Sequence, residues 1–245
     1  MSQLYLQTAN QNGRTVIADS FFTSPIKIAK PFYRDHYTEV MMMTASAGIL
    51  EGDFYDIELK ITENCSLKFT AQSYTKIFKS EKSGASQRIK IDVSDGGELV
   101  YLPCPVIPFA GSVFDSSAEI QLSKGAKFAM CDVVSCGRAA MNEKFMFTEY
   151  RSRTAVYVDG RLEFLDNIRL APHEAELAGI GFFEGYTHQG MMYLYGYEPV
   201  SLPSSDCVEA ALTQAAAGIC VRMAGNSGED ISNFANQILY PHAVK

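Results

Sequence analysis

Histidine is scarce in this chain, with four in 245 residues (His36, His173, His188 and His242), and tryptophan is absent. Few histidines means few bases, and a serine or cysteine nucleophile needs a base beside it and a carboxylate to orient that base. None of the four sits in a local signature of that sort. Gly-x-Ser-x-Gly, His-Glu-x-x-His, the glycine-rich phosphate loop and Cys-x-x-Cys are missing as well, which removes the commonest sequence routes to hydrolase, zinc-protease, nucleotide and dithiol chemistry. The absence of tryptophan, against 13 Tyr and 15 Phe, carries no functional message.

Basic charge is also in short supply: the formal net charge is -7 and the pI near 5.2. A nucleic-acid binder needs a basic face to displace counterions from phosphates, and polybasic membrane attachment needs the same, so neither a nucleic acid nor a membrane is an expected partner. No long apolar run exists. The most apolar late stretch, residues 210–224, is broken by Gln214 and Arg222 and falls short of the roughly 20 residues that cross a bilayer. Residues 1–7 lack a cationic segment followed by an apolar one and do not read as a signal peptide,. A soluble cytoplasmic protein is expected. Its six cysteines (Cys65, Cys104, Cys131, Cys136, Cys207 and Cys220) are then reduced thiols, since 47% hydrophobic residues supply a core that needs no disulfides,.

Period-2 alternation dominates from about residue 14 to residue 170. Ile57, Leu59 and Ile61 share one face of one run, and Ile89, Ile91 and Val93 share one face of another, which is the pattern of half-buried strands. Thr62-Glu63-Asn64, Ser94-Asp95-Gly96-Gly97 and Ser123-Lys124-Gly125 separate the runs with turn chemistry,. The clearest hairpin spans residues 154–165 around Asp159-Gly160, which suits a type I′ turn,. Short strands without intervening helical patterns indicate a mainly β fold, an all-β solenoid, sandwich or barrel, and disfavour a βαβ fold. Residues 79–86 are polar and read as an exposed loop with little fixed structure.

The period changes near the C-terminus. Val208, Ala211, Leu212, Ala215, Ala216 and Ile219 follow helical spacing after Pro203, with Asp206 and Glu209 as a capping pair,. Ile231, Phe234, Ala235, Ile238 and Leu239 form a second stripe, starting near Asp230 and stopped by Pro241,. About two helices are expected over residues 204–240, joined at Gly225-Asn226-Ser227-Gly228. Their apolar stripes are core residues, or a partner-binding element formed by Val208, Leu212, Ile219, Phe234 and Ile238.

Several groups could carry chemistry. Cys131 and Cys136, with Cys104 approaching in space, could form a thiolate metal site, or all three could be small buried apolar residues; a high-affinity closed metal site is not expected. Glu51 and Asp53, flanked by Gly48 and Gly52, are carboxylates on a tight turn that could face a cavity, a partner or plain solvent. Arg138, with Glu143 and Asp166 in reach, could form an interior ion-pair network marking structural specificity or a polar passage. Residues 179–185 mimic a dinucleotide fingerprint with one residue too many before the last glycine,.

Five signatures follow one another in order between residues 48 and 169: Ala-Gly-Ile-Leu-Glu-Gly-Asp at 47–53, Phe-Thr-Ala-Gln-Ser-Tyr-Thr-Lys-Ile-Phe at 69–78, Leu-Pro-Cys-Pro at 102–105, Cys-Gly-Arg-Ala-Ala-Met-Asn-Glu at 136–143 and Asp-Gly-Arg-Leu-Glu-Phe-Leu-Asp at 159–166. As a series they resemble the urease accessory protein family called UreD, or UreH in some bacteria. The matching positions are Gly48, Gly52, Gln72, Lys76, Pro103, Pro105, Gly137 and Arg138. The pattern departs at Ala47, where relatives have glycine, and at Asp132, where they have Glu.

The resemblance implies a single domain over residues 1–245 with a solenoid-like β fold and a small helical part. It implies a scaffold and not an enzyme, without a tightly bound cofactor. Such a scaffold binds the urease apoenzyme and, through UreF, recruits the GTPase UreG, so that a transient nickel ion reaches the active site. An internal polar passage is proposed for the family, and here Glu51, Asp53, Asp132, Arg138, Glu143 and Asp166 are its candidate lining. The alternative is a small metal- or thiol-dependent all-β enzyme using Cys131, Cys136 and one of the histidines.

Overall fold

Strands with one dry face must put that face against another sheet, and here the chain does so by winding. The structure, a computed structural model, describes residues 1–34, 36–197 and 200–240. The first strands are β1 (Ser2–Gln11), β2 (Arg14–Phe22), β3 (Ile26–Ile28), β4 (Phe32–Tyr33) and β5 (Thr38–Thr44). Three coils follow: β6 (Phe54–Ile61), β7 (Ser66–Ala71) and β8 (Thr75–Ile77); β9 (Ala85–Val93), β10 (Glu98–Leu102) and β11 (Val106–Pro108); β12 (Val113–Leu122) and β13 (Lys127–Ser135). After them come β14 (Gly137–Arg138), β15 (Glu143–Lys144), β16 (Glu149–Val158), β17 (Arg161–Leu170), β18 (His188–Tyr195), β19 (Val208–Gln214), β20 (Ile219–Gly225) and α1 (Gly228–Leu239).

Each coil gives one strand to each of two sheets. The first sheet has the order β17-β16-β12-β9-β6-β1-β2, and β1, β6, β9, β12 and β16 run parallel in it. The second has the order β19-β20-β18-β13-β10-β7-β5-β3, parallel from β5 to β13 and antiparallel beyond. This is the mainly β, solenoid-like fold expected. Equal residues of successive coils stack: Leu6, Leu59, Ile91, Ile120 and Val156 are register partners in turn, and none is more than 1% exposed. Such a ladder removes nearly all its apolar area from water, at about 25 cal/mol per Å². The β16–β17 hairpin turns at Asp159 and Gly160, with φ of 47° and 79°, as the Asp-Gly pair requires.

The C-terminal expectation needs a correction. Residues 208–225 are an antiparallel strand pair, β19 with β20, at the edge of the second sheet. The Ala-rich stretch has helical spacing, but β18 offers an unpaired edge, and sheet pairing with burial of Val221 and Met223 outweighs a helix preference of a few tenths of a kcal/mol per residue,. Asp206 and Glu209 therefore cap nothing, and Ala215 donates its N–H to Gly218 to close the turn at 3.0 Å. The one α-helix among the described residues, α1, begins at residue 228, where the Ser227 hydroxyl accepts the Asp230 N–H at 3.2 Å,; Pro241 lies outside the described residues. Helix α1 lays Ile231, Phe234 and Ala235 on the outer face of the second sheet, over Cys131, Met192 and Val221.

The two sheets end unequally. The first stops at β17, one strand past β16, whereas the second continues from β13 through β18 and β20 to β19. The strip of inner face on β20 and β19 is thus left uncovered, and Glu209, Ala211, Thr213 and Arg222 are exposed on it. This overhang opens the inside of the solenoid to solvent at one end.

Candidate functional site

Inside the first sheet the stacked rungs change character from one end of the strands to the other. Beside the aliphatic ladder runs Leu4, Ile57, Ile89, Ala118 and Thr154, and beside that runs Ser2, Tyr55, Gln87, Ser116 and Ser152. The last rung is polar at every position, yet Ser2, Tyr55, Ser116 and Ser152 are each at most 8% exposed. Buried polar groups cost stability unless they are hydrogen-bonded, so a whole file of them along the solenoid axis is a departure from the core's own logic. Burial, with the nearby Asp53 charge, pushes the Tyr55 phenol up to about 12.

Asp132 faces this file from β13. Its Oδ2 accepts the Ser152 hydroxyl at 3.0 Å. Burial pushes its carboxyl above the usual range, and the negative charge of Asp166 adds to that, opposed by the Ser152 hydrogen bond. Asp132 and Tyr150 line both an interior void of about 50 Å³, shared with Gln87, Ser116 and Ser152, and a cavity of about 690 Å³ at the overhang. The void also meets a third cavity, about 190 Å³, under α1, which shares Ala71, Pro103 and Cys104 with it. Thr70 lines that third cavity, and its buried hydroxyl has no hydrogen-bond partner among the described residues.

At the overhang the rung of the second sheet reads Asp132, Met191, Arg222 and Ala211 in register. Asp166, on β17, is 8% exposed, and the Arg222 guanidinium grips both of its oxygens, Nη1 to Oδ2 at 3.3 Å and Nη2 to Oδ1 more closely. The site therefore has a charged mouth (Asp166, Arg222), a carboxylate at the neck (Asp132) and a file of hydroxyl and amide groups behind it.

A family model described as UreD urease accessory protein matches residues 1–242. The chain belongs to the UreD family. Among similar proteins, the urease accessory protein UreD of Acetivibrio thermocellus is 38% identical over 98% of this chain and 97% of its own length. UreH of Helicobacter pylori strain G27 is 32% identical over 97% and 93%, and UreD of Flavobacterium johnsoniae 30% identical over 97% and 91%. The likeness to UreD thus spans the whole chain, and not only the stretch 48–169 that carries the motifs.

The UreD motif residues divide into those at the file and those that build turns. Gly48 is a close approach: a Cβ there would lie 2.5 Å from the Lys76 carbonyl oxygen and 2.7 Å from the Phe78 ring. Lys76 itself is exposed, as is Gln72, whose N–H donates to the Met42 carbonyl at 2.9 Å. Gly52 donates its N–H to the Gly84 carbonyl at 2.7 Å, and Asp53 Oδ2 accepts the Leu50 N–H at 2.8 Å. Pro105 presents its carbonyl to the Thr75 N–H at 3.0 Å. Gly137 has φ of 121° and would place a Cβ 2.3 Å from the Glu143 carbonyl.

The Glu51 carboxylate is engaged by the backbone of the loop after β8. It accepts the N–H groups of Glu81 (3.0 Å), Lys82 and Ser83 (2.6 Å), so the stretch 79–86 is a clamped loop, contrary to the expectation of little fixed structure. These hydrogen bonds hold the Glu51 carboxyl below its usual range. A depressed folded-state value means the clamp is complete above the ordinary glutamate value of about 4.3 and fails as pH falls through the lower folded one. Glu51→Ala is expected to speed hydrogen exchange at residues 81–83 about tenfold or more at neutral pH, while wild-type protection holds at and above the ordinary glutamate value of about 4.3 and is lost as pH falls below it. Unchanged protection factors in the variant would refute the clamp.

Arg138 and Glu143 pair with each other across β14 and β15, with Nε to Oε2 at 2.7 Å, and the guanidinium rests 4.2 Å from the Phe109 ring centroid. Asp166 is held by Arg222 instead, so the expected Arg138–Asp166 network does not form. Arg222 reaches Asp166 from β20, one strand beyond β18 in the second sheet, whereas Arg138 belongs to the separate β14–β15 ribbon. Val208, Ile219 and Phe234 are buried under or beside α1, Ile238 packs against the same cluster, and Leu212 is 38% exposed.

The thiols scatter. Cys131 lies under α1, Cys136 in the main core, and the Cys104 Sγ donates to the Ala71 carbonyl at 3.1 Å. Burial raises all three, which is opposite to what a nucleophile or thiolate ligand needs. No group of three or more His, Cys, Asp or Glu converges as a metal site among the described residues. Residues 179–185 form turns between β17 and β18 and lack the strand-turn-helix setting of a dinucleotide site. Sequence reasoning overlooked Arg222 and the polar rung. The signal was there: Tyr55, Gln87, Ser116 and Ser152 all fall in the inward phase of their strands.

Proposed function

We propose that this protein is a non-catalytic scaffold of urease maturation. In the cytoplasm it binds the urease apoenzyme and, through UreF, recruits the nickel-carrying GTPase UreG; the ion travels along the polar file on its way to the urease active site. Nickel is cargo here and not a resident cofactor. The observation that carries this reading is the file itself, a line of oxygen and amide groups through an otherwise dry solenoid, ending at Asp132 and an open mouth. Oxygen donors presented one or two at a time attract a divalent ion and also release it, as conduction requires.

The surroundings of the mouth support a protein partner there. Ile180 is 95% exposed and Phe182 36%, and Phe182 lines the large cavity; apolar groups rimming a polar opening mark an interaction surface. Raised thiols and scarce histidines weigh against catalysis. No helix among the described residues is long and apolar enough to cross a membrane. The test is co-expression with UreF and UreG of the same genome, followed by size-exclusion chromatography with mass determination. A stoichiometric complex is expected; a chain that elutes alone and monodisperse would overturn the scaffold reading.

A further inference from the structure

Arg222 places a positive charge at the mouth of a route that the preceding reading assigns to a cation. The side chain is half exposed, while its partner carboxylate on Asp166 is only 10% exposed. A carboxylate so enclosed cannot lose its counter-charge cheaply, since breaking a buried pair leaves an uncompensated ion. The guanidinium, by contrast, has somewhere to go: it lines the 690 Å³ cavity, and the first sheet supplies no strand above β20 or β19 to hold it down.

We propose that the Arg222 guanidinium is a stand-in cation: it occupies the ion position at the mouth, on Asp166, and yields it only when a divalent cation arrives to replace it. The exchange keeps Asp166 neutralised at every stage, so the mouth never exposes a bare buried carboxylate. What the guanidinium leaves behind is the Asp166 carboxylate, an oxygen ligand for a divalent cation,. Asp132, on the same rung with Met191 between, is the next acceptor inward, roughly 10 Å away at two strand spacings,. This inference rests on the passage reading for its purpose, but its physical content, one ion position shared with one arginine, is tested separately.

The wild-type full chain gives the first test. Phenylglyoxal modification of Arg222, followed by peptide mass, is expected to run about tenfold faster in the presence of Ni²⁺, because displacement frees the guanidinium, and to be unchanged by K⁺ at equal ionic strength. Equal rates with and without Ni²⁺ would overturn the proposal. Equilibrium dialysis against Ni²⁺ alone gives the second. Arg222→Gln should hold one additional ion at least about tenfold more tightly than wild type, Arg222→Lys should behave as wild type, and adding Asp166→Asn to Arg222→Gln should abolish the gain. An Arg222→Gln chain without the additional ion refutes the gate whatever becomes of the passage, which stands or falls on Asp132.

Discussion

Asp132→Asn is expected to lower urease activation in nickel-limited cells by roughly tenfold, about 1.4 kcal/mol on the limiting step, while leaving the fold as stable as before or more so. The two halves of that expectation come from the same carboxylate. As an anion, Asp132 is the charge at the neck between the open cavity and the interior void, and it is where a divalent ion would lose its attraction. As a buried group, it is a cost to the fold, because burial and the charge of Asp166 both raise its carboxyl. A raised folded-state value means the native protein binds the proton more tightly than the unfolded chain. Stability therefore falls as pH rises through the interval above the ordinary aspartate value of about 3.9. Asn keeps the shape and an oxygen for the Ser152 hydroxyl but has no charge to desolvate. Wild type and variant should thus converge in denaturant midpoint as pH is lowered, with the variant ahead near neutrality. Full activation by Asp132→Asn in cells starved of nickel would remove Asp132 from the route. A variant that is inactive and also destabilised at neutral pH would mean the carboxylate braces structure instead.

How much of this was readable beforehand depends on whether the deciding interaction is local. Strand identity was, since Ile57, Leu59 and Ile61 or Ile89, Ile91 and Val93 alternate within a single run, and so was the Asp159-Gly160 turn. The helix at α1 was legible because its cap, Ser227, and its stripe lie within one segment. Residues 208–219 were not, because their spacing satisfies a helix and what makes them strand is pairing with β20, itself seated on the edge of β18, neighbours the local pattern does not reveal. The same limit hid the site. That Tyr55, Gln87, Ser116 and Ser152 point inward follows from period 2 alone; that they stack into one file depends on the register between coils some thirty residues apart. Arg138 and Asp166 share motif neighbourhoods yet belong to different ribbons, and Arg222, which does hold Asp166, lies 56 positions further along the chain.

If the file conducts, filling it should matter more than any change on the outside of the same strand. Ser116 stands between Gln87 and Ser152 on the polar rung and lines the 50 Å³ void, a space fit for a water or two,. Ser116→Leu would put a branched apolar side chain into that void, and the overpacking is expected to cost about 1–3 kcal/mol of stability. Ser117, its neighbour on β12, points to the opposite face, so Ser117→Leu adds the same atoms outside the file,. Both variants should still assemble with the partner proteins, since neither residue lies at the overhang. Only Ser116→Leu should cut activation, by more than about tenfold, and surplus nickel should not restore it, because a plug blocks a route whatever the supply. Asp132→Asn, in contrast, weakens attraction and should be rescued in part by surplus nickel. The comparison separates a passage from a scaffold that merely holds its partners in place. Equal activation by the two serine variants at matched expression would mean that the ion reaches urease without entering this protein, and that the polar file serves the fold alone.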